Sequence, residues 1–293
     1  MNFVPDGTTI AALAPSSAYN DDKFKAGLDI LQARGFTFEI FSKPETSHRY
    51  FAGTDDFRVA QLHEAFTNPT YGAVWAIRGG YGLTRILDQL DYAAFTPKPL
   101  IGFSDIVALQ VPLARRGFPV IHAPVIHSMK QTDDSSREHL YRILSGQNTE
   151  PMMGTQWVPG TVEAPIVGGN LCMLSVLCGT PWQLETRGKI LVLEDIGEYV
   201  YRIDRMVQQI KSAGMLDGLA GIVLGEFTQC APPDGADFDV YDVLRDHLAT
   251  IDVPVLAHVP IGHDRANRAF VWNQMATICD NTLQLQAKYQ GLH

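Results

Sequence analysis

At 293 residues with 46% hydrophobic side chains, the chain is long enough to bury a large core and to divide into two domains. Its formal net charge of −9 argues against nucleic acid or an anionic membrane surface as the main partner, since either calls for a basic stripe. No basic segment followed by an apolar run opens the chain, because Asn2 to Thr9 is polar and carries Pro5 and Gly7, and no stretch reaches membrane-spanning length.

The elements follow from local pattern. Thr8 to Leu13 predicts a strand, and Asp21 to Arg34 a helix capped by Asn20 and ended by Gly35. Phe36 to Phe41 reads as a second strand, Asp55 to Phe66 as a helix, and Tyr71 to Ile77 as a third strand. Lys98 to Gly102 is a short buried strand, and Asp105 to Arg116 has helical apolar spacing at Ile106, Leu109, Val111 and Leu113. This β/α alternation predicts a parallel sheet with ligand-binding loops along one edge.

The texture changes after Met129. Gln131 to Glu150 is polar with a short helical middle, and Thr155 to Val167 is β-rich around a turn at Pro159-Gly160. The expected division is an N-terminal α/β domain over 1–130, a linker region over 131–160 and a C-terminal domain over 161–293. Within the second half the pattern predicts a helix from Gly169 to Leu177, a strand through Leu191, an amphipathic helix from Val200 to Ala213 and a strand from Ala220 to Leu224. A helix over Phe238 to Leu248 follows, and Ala269 to Leu285 alternates like a closing antiparallel sheet, making the second domain mixed α/β.

Four segments carry chemistry-bearing residues at element ends. Ser104 stands in Gly102-Phe103-Ser104-Asp105, between a strand and a helix, where first-turn amides can stabilise an oxyanion. Taken alone, Ser104 also fits the N-cap of that helix. Arg78-Gly79-Gly80-Tyr81-Gly82 follows a strand, and paired glycines let backbone N–H groups approach a ligand. Lys189 to Asp195 is an apolar strand ending on Glu194 and Asp195, and a carboxylate there can orient a histidine. His263 lies in a glycine turn after Gly262, beyond the β-like run from Val255, whereas its rival His258 reads as strand-internal and His122 and His127 as further candidates.

Arg78 reads either as a plain salt-bridge partner or as a residue that holds the glycine turn or an anionic substrate group, with Arg202, Arg265 and Arg268 as alternatives for binding a terminal carboxylate. Tyr81 and Trp182 are core or pocket aromatics. Cys172, Cys178, Cys230 and Cys279 form no C-x-x-C pair and no metal-ligand spacing; Cys172 and Cys178 lie in an apolar helical run and read as buried free thiols, a usage that fits a reducing cytoplasm. The nine histidines show no H-E-x-x-H cluster, so no metal and no cofactor are expected.

Together, Arg78-Gly-Gly-Tyr-Gly, Gly102-Phe-Ser-Asp105, Gly168-Gly-Asn-Leu171, Leu193-Glu-Asp195 with Arg202 to Met206 behind it, and Gly262-His263 resemble the LD-carboxypeptidase family, which comprises murein tetrapeptide carboxypeptidases and microcin self-immunity peptidases. The resemblance runs from Ala14-Pro15-Ser16 to the last strands. It implies a serine carboxypeptidase with Ser104 as nucleophile, Glu194 as triad acid and His263 as general base, split across two domains, and the Gly80 and Asp105 amides as oxyanion hole. Arg78 and Tyr81 are then expected to bind substrate. The implied substrate is a muropeptide losing a terminal D-alanine in cell-wall recycling, with a peptidyl-nucleotide antibiotic as the alternative and a non-catalytic peptide-binding protein as the reading from another class. The resemblance further implies a cytoplasmic homodimer without nucleic acid or membrane partners. Ile106 stands where the G-x-S-x-G elbow of α/β-hydrolases has its last glycine, so that fold is not implied.

Overall fold

The computed structural model describes residues 1–286 of the chain. Its described residues form two compact units, one from Met1–Gln147 with Ala269–Val271, the other from Asn148–Arg268 with residues 272–286.

Unit 1 begins with β1 (Thr9–Leu13), α1 (Asp21–Ala33) and β2 (Thr37–Ile40). It continues with α2 (Asp55–Thr67), β3 (Tyr71–Ala76), β4 (Leu100–Gly102), α3 (Val107–Ala114), β5 (Val120–His122) and α4 (Asp134–Leu144). The five strands are parallel in the order β5-β4-β3-β1-β2, with register pairs such as Leu13↔Ala76, Trp75↔Ile101 and Ile101↔Ile121. An antiparallel edge strand, Phe270–Val271, pairs with β5.

Helices form where caps and apolar faces coincide. Asn20 Oδ1 accepts the N–H of Lys23 at 2.9 Å to start α1, and Thr54 and Asp133 cap α2 and α4 in the same way. The inner strands β1, β3, β4 and β5 are largely apolar and buried, as a covered parallel sheet requires, whereas the edge strand β2 is mostly exposed. Ile10, Val74, Trp75, Ile101 and Ile121 are wholly buried, and each such side chain contributes roughly 1.5–3 kcal/mol. All eight residues of α3 are buried, so this helix runs through the interior.

Strand order reverses beside β1, whose neighbours β2 and β3 are reached in opposite directions. In such sheets ligands bind beyond the carboxyl ends of the strands at the reversal. The loops leaving β1, β3 and β4 there carry Ser16 and Ser17, the Gly79-Gly80 turn, and Ser104.

Unit 2 comprises β6 (Met152–Met153), β7 (Thr155–Val158), β8 (Val162–Asn170), α5 (Leu171–Leu177), β9 (Ile190–Ile196), α6 (Val200–Ser212), β10 (Gly221–Thr228), α7 (Val240–Leu248) and β11 (Val255–Ala257). The chain returns to unit 1 for Phe270–Val271, which is β12, and closes unit 2 with β13 (Met275–Cys279) and β14 (Thr282–Leu285). Strands β8 to β11 are parallel, and antiparallel strands flank them in the order β6-β14-β13-β8-β9-β10-β11-β7. The expected two-domain α/β architecture, with a parallel N-terminal sheet and a mixed C-terminal one, is what the chain adopts.

Several boundaries differ from the sequence reading. The expected linker 131–160 is shared out, its helix α4 belonging to unit 1 and its strands β6 and β7 to unit 2. Residues 287–293 of the expected second domain lie outside the described residues. The helix expected from Gly169 starts at Leu171, because β8 extends to Asn170 through Gly168 and Gly169 at φ +114° and +149°. A Cβ on Gly168 would stand 2.3 Å from the Val192 carbonyl oxygen, so β8 needs glycine there to lie against β9. The alternating segment from Ala269 is divided, since β12 joins the first sheet and only β13 and β14 form the antiparallel pair of the second.

Candidate active site

In unit 1, Ser104 follows β4 and opens a single 3-10 turn, Ser104–Ile106, that leads into α3. Its φ is +65°, the left-handed region that a serine enters only against strain, of order 1–3 kcal/mol. An N-cap has extended backbone and a side chain bonded to the following amides, whereas here the extended residue is Phe103 and no side chain caps the turn. Ser104 is therefore not the cap that its position allows. Its half-buried hydroxyl is presented at the carboxyl edge of the sheet. The helix expected from Asp105 begins as this 3-10 turn, which lets the backbone leave β4 sharply.

The turn after β3 lies directly against Ser104. A Cβ on Gly79 would stand 2.9 Å from Ser104 Cβ and 3.1 Å from its Oγ, so glycine alone allows the approach. Gly80 has φ +102°, and a Cβ there would meet Ser17 Oγ at 2.4 Å. Ser17 itself donates its N–H to the Gly79 carbonyl at 3.2 Å, and its hydroxyl accepts the N–H of Tyr81 at 3.0 Å.

Two arginines secure these loops. Arg78 Nη1 donates to the carbonyl of Ala18, which is the bracing role. Arg58 is wholly buried and donates from Nη1 to the Pro15 carbonyl at 2.6 Å and the Gly82 carbonyl at 3.0 Å, while Nη2 pairs with Asp55 at 2.5 Å. Asp105 is 1% exposed and accepts the N–H of Leu83 at 3.0 Å. Burial raises its pKa, opposed by neighbouring donors and the Arg58 charge. The Asp105 amide lies in the first helical turn, where N–H groups lack intrahelical partners. Tyr81 is 43% exposed and its ring leans on Tyr50 and Phe51, at centroid distances of 6.0 and 5.8 Å.

In unit 2, Glu194 and Asp195 occupy the carboxyl end of β9 and face opposite ways. Glu194 Oε2 lies 2.7 Å from Nδ1 of His263. The carboxylate is fully buried and the imidazole 12% exposed. Burial disfavours the imidazolium, but the Glu194 charge, its hydrogen bond and the Asp195 charge outweigh this and raise the His263 pKa. The bond to Glu194 through Nδ1 fixes the orientation of the ring.

A bulge in β10 makes the approach possible. Register shifts between Leu224 and Phe227, where Glu226 donates its N–H to the Ile261 carbonyl at 2.8 Å. A Cβ on Gly225 would lie 2.2 Å from that same carbonyl oxygen. Gly262 takes φ +143°, and its N–H donates to Asn267 Oδ1 at 3.3 Å.

Asp195 serves the other face, accepting from Asn170 Nδ2 at 3.1 Å, Cys172 N–H at 2.9 Å and Ile196 N–H at 2.8 Å. Burial and then the Glu194 charge push its pKa up to about 7 despite these donors. Glu198, three residues further on, pairs with Arg202 at 3.3 Å.

Among the rival histidines, His258 lies just past β11 at φ +57° and not within a strand, touching Tyr241 and Trp157. His122 is buried and stacked on Phe270. His127, beside Arg78, is pushed down to about 4 by burial and then by the Arg78 charge. All four cysteines are free, but only Cys230 is buried, the others being half-exposed at element ends or on helix flanks. Among the described residues, no group of three or more His, Cys, Asp or Glu is arranged to hold a metal ion. No described helix is long and apolar enough to cross a membrane.

Sequence reasoning overlooked Ser17, Arg58, Gly225 and Asn267. Ser17 adjoins the quoted Ala14-Pro15-Ser16, whereas a buried arginine inside α2 gives no local signal.

An imidazole oriented by a buried carboxylate, and a strained serine backed by a glycine turn, are the parts of a serine hydrolase. Residues 10–123 match the LD-carboxypeptidase N-terminal domain and residues 163–278 the LD-carboxypeptidase C-terminal domain. The murein tetrapeptide carboxypeptidase of Pseudomonas aeruginosa is 36% identical, over 94% of each chain. The crystal structure of a muramoyltetrapeptide carboxypeptidase from Oxalobacter formigenes superposes with a TM-score of 0.81 at 29% identity, covering 95% of this chain and 98% of that one. The microcin C7 self-immunity protein of Escherichia coli is 26% identical over 85% of this chain and 83% of its own, and its wild-type apo structure matches in fold with a TM-score of 0.86, covering 97% of both chains. The chain belongs to the LD-carboxypeptidase family. It is a serine-type LD-carboxypeptidase.

Proposed function

We propose that the chain hydrolyses the L,D bond that releases terminal D-alanine from muropeptide tetrapeptides in cell-wall recycling, with Ser104, Glu194 and His263 acting as one triad. The observation that carries the chemistry is the Glu194–His263 pair, a fully buried carboxylate bonded at 2.7 Å to Nδ1 of a histidine. Nε2 of His263 takes the Ser104 Oγ proton, and Oγ bonds to the scissile carbonyl carbon. The resulting oxyanion is held by the N–H groups of Gly80 and Asp105. Collapse breaks the C–N bond, and His263 returns its proton to the departing amine of D-alanine. Water, deprotonated by the same imidazole, then hydrolyses the acyl-serine.

The names of the Pseudomonas aeruginosa and Oxalobacter formigenes relatives support a murein tetrapeptide as substrate. Likeness to the microcin C7 self-immunity protein supports a second reading, cleavage of a peptidyl-nucleotide antibiotic by the same residues. By family resemblance the working form is a cytoplasmic homodimer, which sedimentation would read as twice the chain mass.

Incubating the protein with a tetrapeptide ending in D-alanine, its L-alanine isomer and its C-terminal amide tests the assignment by mass spectrometry of released alanine. Release is expected from the D-ended acid alone, since inverting the centre misplaces the reacting carbonyl and amidation leaves a cationic partner unpaired. Equal rates on all three would overturn the specificity, and cleavage of a peptidyl-nucleotide with none of the tetrapeptide would favour the second reading.

A further inference from the structure

The Gly79-Gly80 turn has no side chain of its own to fix it, and two peptide groups flank Gly80. The first joins Gly79 to Gly80, and its carbonyl accepts the N–H of Ser17 at 3.2 Å. Because the peptide is trans, the Gly80 N–H points away from that carbonyl. The second peptide joins Gly80 to Tyr81, and its N–H donates to Ser17 Oγ at 3.0 Å. The Ser17 hydroxyl in turn lies 3.4 Å from the Tyr81 carbonyl oxygen, to which it donates. Both peptides therefore carry a bond to the same residue. Gly79, on the other side, lies within van der Waals reach of Ser104.

Glycine populates positive and negative φ about equally, so a Gly-Gly peptide flips at little intrinsic cost. Its orientation must come from its partners. Ser17 stands in the loop after β1 and the glycine turn in the loop after β3, the two loops at the reversal of strand order. The Ser17 hydroxyl also occupies the space into which a Gly80 side chain would project.

We infer that Ser17 is a positioning residue for catalysis, its hydroxyl locking the Gly80–Tyr81 peptide and its N–H the Gly79–Gly80 peptide so that the Gly80 N–H is held ready for the oxyanion. The inference rests on the proposal that Ser104 is the nucleophile and Gly80 an oxyanion donor. Ser17 touches no reacting atom. It sets the direction of the donor before substrate arrives, which is what makes such a donor effective.

Losing a whole oxyanion donor costs about 10²–10³ in kcat, so loosening one should cost less. Ser17→Ala is expected to lower kcat about 10- to 100-fold on the tetrapeptide while KM stays within about threefold, because ground-state binding is untouched. Affinity for a peptide boronate, whose tetrahedral adduct mimics the oxyanion, should fall by a similar factor. Ser17→Thr keeps the hydroxyl and should retain kcat within about threefold, with melting temperatures of both variants near wild type. A Ser17→Ala enzyme with unchanged kcat, or with raised KM alone, overturns the inference, as does a Ser17→Ala loss that leaves boronate affinity intact. Ser104→Ala is the control that separates the two levels. If it is inactive while Ser17→Ala is fully active, only the role of Ser17 fails; if it turns over, the nucleophile assignment fails and the inference with it.

Discussion

Glu194 Oε2 and His263 Nδ1 are 2.7 Å apart across 69 residues of sequence, joined because a bulge in β10 and a glycine at position 225 let the loop after β11 lie on the end of β9. Neither residue tolerates burial alone. A carboxylate with no exposure needs a partner, and a mostly buried imidazole finds in it the acceptor that fixes its tautomer.

Ser104→Ala should leave the fold intact and lower turnover by about four to six orders of magnitude, as loss of a triad nucleophile does. Steady-state kinetics with a circular-dichroism melt checks both halves. A tenth of normal activity surviving would return Ser104 to a structural role.

Removing Glu194 or His263 from an enzyme already lacking Ser104 should cost little more, since members of one constellation are strongly non-additive. Double-mutant kinetics decide the matter. Independent losses that multiply would show that at least one residue acts outside the triad.

The pH profile follows from the raised His263 pKa. The base must be neutral, so kcat/KM should fall on the acid side, with a midpoint above the imidazole's ordinary 6.5. Glu194→Gln removes the charge that raises it, so the residual activity should show an acid limb moved to lower pH. An unmoved limb would assign it to another group.

Asp195 gives the stability counterpart. Its folded pKa of about 7 lies above the ordinary 3.8, so between these values the folded state holds a proton that the unfolded chain has released. Stability should therefore fall as pH rises from about 4 to 7, by on the order of a few kcal/mol from this group. The raised His263 pKa acts with the same sign, its contribution being present at low pH and lost as pH rises through the folded value. Asp195→Asn should flatten the slope in denaturant melts between pH 4 and 7, and a slope equal to wild type would remove Asp195 as its source.

Gly225→Ala should disturb the site from within unit 2. Its Cβ would lie 2.2 Å from the Ile261 carbonyl oxygen, and backbone cannot yield as a flexible side chain can. A loss of roughly 1–3 kcal/mol is expected in denaturant melts, with a fall in kcat as the His263 loop is displaced. Wild-type behaviour in both would show that the bulge is dispensable.

Much of the fold was legible because its signals are local. Asn20 caps α1 from a side chain that bonds three residues on, and β9 opens on the apolar run Ile190 to Leu193 before its two acids. Boundaries failed where glycine obscured them: Gly168 and Gly169 look like the start of a helix but end a strand, because only the neighbouring β9 backbone shows why a Cβ is forbidden. The loss of the linker over 131–160 has a similar cause, since polar residues on the outer face of α4 conceal the buried Leu140 and Ile143 on the inner one.

Sequence by itself determined the candidate residues, Ser104, Glu194 and His263, because chemistry-bearing side chains at the ends of apolar runs stand out and their joint pattern resembles one family. Local pattern, apart from that resemblance, could not decide that Ser104 leaves the capping conformation for φ +65°, which of the adjacent acids Glu194 and Asp195 takes the histidine, or that Ser17 holds the glycine turn. Those outcomes depend on which strand lies beside which and on where each pleat points its side chain. Consecutive residues of a strand face opposite sides, so one step along β9 separates an acid bonded to His263 from an acid bonded to Asn170 and Cys172. Only the packed sheets, with the bulge in the second and the reversal of strand order in the first, bring the distant loops to those faces.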